Sequence, residues 1–189
     1  YPPLRADPNV EIVNSNPLGF QYMLRFNHLH KPFDNVKVKA AAMMALNQQA
    51  FLKAQVGDEE LYKICPSMST CGTPYASEAG AEAQNLGKGN PRKAQELLKA
   101  SGYDGTPVVI MKPTDLAAIT KLPDVAALLL RQAGFKVDLQ SMDWNTLVSR
   151  RAKKDPPSEG GWNIFATAWV SPDIWNPLTN AALTTSGET

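Results

Sequence analysis

Two cysteines, two histidines and a net charge of only +1 in 189 residues leave this chain poor in most kinds of chemistry. Its 19 basic and 18 acidic side chains nearly cancel, so nothing draws it generally to nucleic acid or to an anionic lipid surface. No apolar run approaches the roughly 20 residues that a helix needs to cross a bilayer. G-x-S-x-G, P-loop and post-strand G-x-G-x-x-G signatures are absent. Gly87-Lys88-Gly89 has neither the glycine spacing nor the Lys-Ser/Thr pair of a phosphate cradle. No motif therefore implies a cofactor, and no catalytic residue stands out. There is also no initiator Met and no basic-then-apolar leader, so Tyr1-Pro2-Pro3 reads as the cut edge of a longer polypeptide or a processed start.

The scarce residues have few readings. Cys65 and Cys71 fit neither a C-x-x-C zinc pair nor a thioredoxin-type motif. The loop of Pro, Ser, Met and Thr between them can close as a small disulfide ring, worth about 2 kcal/mol, which would imply an oxidising compartment. Two reduced, buried thiols are the alternative. His28 and His30 share a face near a strand end and, with Asp34, offer one metal-binding set; two ordinary loop imidazoles are the plainer reading.

What is present is a globular composition, with 43% hydrophobic and 20% charged residues, enough for one domain with its own core. Val10–Asn14 reads as a strand. Gly19–Asn27 reads as another, with Phe20, Tyr22, Leu24 and Phe26 alternating against Gln21, Met23 and Arg25. Asn16-Pro17-Leu18-Gly19 between them signals a turn. Val36 to about Gln55 reads as one buried helix capped by Asp34 or Asn35. Residues 58–89 show no period and read as a long ordered excursion.

Asn90-Pro91 opens a helix that ends before Gly102. Strand Pro107–Met111, helix Leu116–Ala133 interrupted at Pro123, strand Val137–Ser141, an Asp143-capped helix and strand Asn163–Trp169 follow. That alternation predicts two right-handed crossovers and a parallel sheet covered on both faces. Beyond the carboxyl end of a predicted central strand stand Trp169, Asp173, Trp175 and Asn176, where open α/β sheets receive ligands. Core packing of the two indoles is the competing reading.

Several segments, in order along the chain, resemble the extracellular solute-binding proteins of family 5, the peptide, nickel and oligopeptide-binding components of ABC transporters. Phe26-Asn27 matches the end of a family strand. Pro32-Phe33-Asp34-Asn35-Val36-Lys37-Val38-Lys39-Ala40-Ala41 and Ala45-Leu46-Asn47-Gln48 match Pro-Phe-x-Asp-x-Arg-Val-Arg-x-Ala and Ala-Ile-Asp-Arg. Asn90 to Tyr103 is similar to Asp-Pro-x-Lys-Ala-x-x-Leu-Leu-x-x-Ala-Gly-Tyr. Leu129 to Val137 resembles Leu-x-x-Ile-Gly-Ile-Lys-Val, and Ala168-Trp169 falls on the family's tryptophan strand. The departures are Lys37 and Lys39 for arginines, which rules out an unaltered bidentate pairing, Asn47 for Asp, and Asn176-Pro177 for Asp-Pro.

The resemblance implies an α/β fold: residues 1–189 as one lobe (lobe II) of a type II periplasmic-binding-protein-like clamshell, a mostly parallel sheet flanked by helices, with an N-terminal strand–turn–strand segment. It implies a periplasmic, non-enzymatic, monomeric receptor for a small solute, peptide-like or other. Its partners would be the missing lobe I of the same polypeptide and an ABC permease, and this lobe alone would bind solute weakly. A small α/β enzyme using Asp173 as its base is the rival reading.

Overall fold

A computed structural model describes residues 2–178 and Asn180. Its elements are α1 (Pro2–Arg5), β1 (Phe20–Phe26), α2 (Val36–Ala45), α3 (Gln48–Gln55), α4 (Pro91–Ala100), β2 (Val108–Pro113), α5 (Leu122–Gln132), β3 (Val137–Met142), α6 (Trp144–Arg151), β4 (Ile164–Val170) and α7 (Ser171–Ile174), with three single 3-10 turns in the loops. The four strands form one sheet in the order β1-β4-β2-β3. β4, β2 and β3 are mutually parallel, and β1 lies antiparallel on the β4 edge, from Phe20 opposite Val170 to Phe26 opposite Ile164.

The alternation along the inner strands sorts side chains into two cores, because successive residues point to opposite faces. Val108, Ile110 and Ile164 face α2, α4 and α5, meeting Phe33, Val38, Ala42, Ala94, Leu98, Ala126 and Leu130. Met111 and Phe165 face the other way, against Leu147 of α6 and Trp162. Helices therefore cover both faces, and β2, flanked on both edges, is buried at all positions except Lys112. Small side chains on α2 (Ala41, Ala42, Ala45) let α4 pack closely through Ala94 and Leu98.

Three expectations are corrected. Val10–Asn14 is no strand: the segment is exposed, with Val13 72% accessible. Among the described residues no strand pairs with it, so Val10 and Ile12, which a strand would place on one face, have no partner to bury them. The turn at Asn16 does form, Gly19 N–H reaching Asn16 C=O at 2.9 Å and the Asn16 amide returning to Gly19 C=O at 2.9 Å, but it leads only into β1.

The helix expected over Val36–Gln55 is two helices. Leu46 is extended, and Asn47 starts α3 by accepting Ala50 N–H at 3.0 Å. Its amide also donates to Lys88 C=O at 2.7 Å, a bond that the family's Asp has no hydrogen to make. The helix expected from Leu116 begins at Leu122, after two turns. Pro123 then sits in the first helical turn, where its missing N–H has no intrahelical acceptor to leave empty.

The remaining caps follow the residues that predicted them. Asn35, rather than Asp34, caps α2, Asn90 accepts Lys93 N–H at 3.0 Å, and Asp143 accepts Thr146 N–H at 2.9 Å.

One buried polar cluster holds the sheet at the start of β4. Asn163 is fully buried; its Oδ1 accepts Val109 N–H at 2.8 Å and its Nδ2 donates to Lys31 C=O at 3.0 Å. Asn163 N–H also reaches Val109 C=O at 3.0 Å, and Asn27 N–H reaches Asn163 C=O at 2.8 Å. The Asn27 amide donates to Trp162 C=O at 3.1 Å and accepts Leu29 N–H at 3.0 Å. Asn163→Ala strands the buried N–H of Val109 and also loses the bond to Lys31 C=O, so we expect a loss of about 2 kcal/mol, read as a lower urea midpoint at unchanged slope.

Candidate functional site

β4 delivers Trp169 and Val170 to the carboxyl end of the sheet, between β1 and β2. Ser171 then turns the chain, its N–H bonding Gly19 C=O at 2.9 Å. α7 is pinned by buried Ser171 and Ile174, which leaves Pro172 and Asp173 exposed on its outer side. Beyond it, Asn176 Oδ1 accepts Leu178 N–H at 3.0 Å, and the buried Asn180 amide donates to Ile174 C=O at 3.1 Å. Trp169 is 37% and Trp175 39% accessible, so neither indole is core. Trp169, Asp173, Trp175 and half-buried Asn176 thus follow one another around the end of β4, the stretch called the rim below, with all but Asn176 exposed.

The rim has neighbours that sequence reasoning did not find. Trp175 meets the ring of Tyr75, centroids 5.6 Å apart and tilted by 45°. Gln21 lies opposite Trp169 in the β1–β4 register. Its amide donates to Met68 C=O at 3.1 Å and accepts from the Thr70 hydroxyl at 3.3 Å. Met68 and Thr70 belong to the cysteine loop and Tyr75 follows it, far away in sequence from β4, and no spacing rule links them. Gln21 was visible only as a polar position on an apolar strand.

The loop itself is closed as expected: Cys65 and Cys71 form a disulfide, and among the described residues no cysteine is free. Gln48, at the start of α3, clamps the loop by accepting Cys65 N–H at 2.8 Å and donating to Cys65 C=O at 3.0 Å. Replacing both cysteines with serine should cost about 2 kcal/mol on loop-closure grounds. Wild-type protein unfolded without reductant should titrate no thiol; a free thiol would contradict the bridge.

The histidines are not brought together as a metal set. His30 Nε2 lies 2.7 Å from Lys154 C=O, and among the described residues no three His, Cys, Asp or Glu side chains converge. His30, Lys31, Asp34 and Asp138 instead line a groove of about 560 Å³ at the amino ends of β2 and β3, with Pro107, Pro156 and Pro157. That is the end of the sheet away from the rim, and its lining mixes prolines with both signs of charge. Beside it, Asp104 is held well below the usual carboxylate range, chiefly by the Thr106 hydroxyl and N–H, with Lys31 adding to the effect.

His28 is pushed below its ordinary 6.5, first by partial burial and then by the Lys39 ammonium. The unfolded chain takes up that proton more readily, so stability rises with pH through the window just below 6.5 and is lost as pH falls through it. NMR titration should place the His28 midpoint under 6.5, and Lys39→Ala should move it upward.

The pattern of the bacterial extracellular solute-binding proteins, family 5 Middle, matches residues 1–188. The chain belongs to that family. It is 35% identical, over 99% of its length, to a protein of Sinorhizobium fredii (strain NBRC 101917 / NGR234) named "Probable peptide ABC transporter periplasmic-binding protein y4tO", and covers 35% of that protein. It is 28% identical to the glutathione-binding protein GsiB of Escherichia coli (strain K12), over 88% of this chain and 31% of that one.

Among solved structures, the substrate-binding protein CtaP of Listeria monocytogenes superposes with a TM-score of 0.70 at 18% identity, covering 88% of this chain and 34% of CtaP. The Escherichia coli murein tripeptide-binding protein MppA gives 0.64 at 22%, covering 92% and 33%. These two share the fold. The chain thus spans about a third of the length of the curated relatives it matches. As a family 5 protein it is extracytoplasmic, in keeping with its disulfide.

Proposed function

We propose that residues 1–189 act as lobe II of a two-lobed receptor that captures a small, peptide-like solute and delivers it to an ABC permease. In this reading the protein is a monomeric carrier without catalysis. Trp169, Asp173, Trp175 and Asn176 face lobe I of the same polypeptide across the solute. The observation that carries it is the pair of indoles left more than a third accessible at the carboxyl end of the central strand β4, while Ser171 and Ile174 beside them are sealed. Covering the rest of each indole is worth about 2 kcal/mol at about 25 cal/mol per Å², which favours closure over a solute. Asp173, exposed on the same rim, is the group that would answer a ligand ammonium.

The names of the relatives support the solute class: peptide for the Sinorhizobium protein, glutathione for GsiB and a murein tripeptide for MppA. The reading as an enzyme has less behind it, since Asp173 is the only titratable side chain that the rim segment Trp169–Asn176 offers and a hydrolase would need a positioned partner for it.

Calorimetry on the protein as its gene encodes it, with glutathione and a set of di- and tripeptides as probes, tests the proposal. Trp169→Ala and Asp173→Asn should each weaken binding by roughly fivefold or more, the loss expected of a buried contact residue, with little change in melting temperature. Unchanged affinity in both variants would overturn it.

A further inference from the structure

We propose that the stapled loop from Cys65 to Ser77 is a second wall of this rim, and that Tyr75 is a specificity-determining residue selecting solutes with an aromatic or other planar side chain. The inference rests on reading the rim as solute-facing, and adds to it residues from a separate part of the chain.

The loop is held far more firmly than an exposed connection requires. The disulfide closes its first half. Ser67 Oγ accepts Ser69 N–H at 3.2 Å and Ser77 N–H at 3.0 Å, which ties the second half back to the first. Thr73 Oγ donates to Thr70 C=O at 2.7 Å, and Ala76 N–H reaches Thr73 C=O at 3.1 Å. The Gln48 amide fixes one end to α3, and the Gln21 amide fixes the middle to β1 beside Trp169.

All this order supports side chains that the domain's own core does not use. Ser69 and Thr70 are buried, yet Met68 is 66% and Tyr75 48% accessible. A rigid aromatic presented in this way offers contact area at little entropic cost, because few rotamers remain to be frozen. Tyr75 and Trp175, tilted by 45°, offer a face and an edge to a third ring, the arrangement that aromatic groups prefer.

The test uses the protein as its gene encodes it, with the tripeptides Ala-Phe-Ala and Ala-Ala-Ala as probes and titration calorimetry as the readout. Tyr75→Ala should weaken Ala-Phe-Ala by about threefold to tenfold, the range of one aromatic contact, and leave Ala-Ala-Ala within about twofold. Tyr75→Phe, which keeps the ring, should hold the wild-type preference. If Tyr75→Ala leaves the ratio of the two affinities unchanged while Asp173→Asn weakens both, the loop is not a wall of the site and the proposal fails, with the rim reading intact. If neither variant alters binding of either peptide, the rim reading itself fails and this proposal goes with it; if neither tripeptide binds, the selection of aromatic peptides fails while the rim reading rests on its other probes.

Discussion

The fold depends on how the chain starts β4, because that strand is the only one that touches both the antiparallel edge and the parallel half of the sheet. At this point the backbone of Asn163 bonds Val109 on one side and Asn27 on the other, while its side chain supplies the bond to Val109 N–H that the ladder does not. In a site sealed from water, an unmet N–H or C=O carries its full desolvation penalty. The amide of Asn163 meets one of each, at Val109 and Lys31. It thereby fixes the register of three strands and the path of the loop after β1.

The same solution recurs across the molecule. Asn27, Asn47, Gln21 and Gln48 each use one amide to donate and accept at once, joining a loop to an element. A carboxylate accepts only, so this role explains why Asn47 serves where the family pattern has Asp. It also accounts for how a chain with few apolar residues between 58 and 89 keeps that stretch in place: the disulfide and the Gln48 and Gln21 clamps fix it where packing does not. The surface ion pairs, such as Arg5 with Glu60 and Lys31 with Asp104, lie in solvent and contribute little by comparison.

The proposed function rests on the difference between the two ends of the sheet. At the amino ends of β2 and β3, prolines and mixed charges line the groove around His30 and Lys31. At the carboxyl end of β4, α7 is held down by Ser171 and Ile174, so its exposed side chains and the indoles beside it stay in place. Strand carboxyl ends are where open α/β sheets receive ligands. In the proposed reading, a strand, a helical turn held by Ser171 and Ile174 and a disulfide-closed loop together present the exposed indoles as a surface to close against.

Local patterns settled much of this protein in advance. The alternation from Phe20 to Phe26, the unbroken apolar run in β2, the caps at Asn35, Asn90 and Asp143, and the ring between Cys65 and Cys71 are each decided within a few residues, by side-chain period, by one hydrogen bond or by loop length. The helix break at Asn47 was within reach of the same reasoning, since Asn after an apolar run is a cap as readily as an interior residue. The strand expected at 10–14 failed because a strand needs a partner and a face to bury, which five residues cannot specify for themselves. Tertiary structure alone decided that Asn163 would close the sheet, that Trp169 and Trp175 would stay on the surface, and that Tyr75 would come to rest against Trp175. Those outcomes hang on contacts between residues far apart in the chain, such as Asn27 with Asn163 and Tyr75 with Trp175, and no local pattern carries that information.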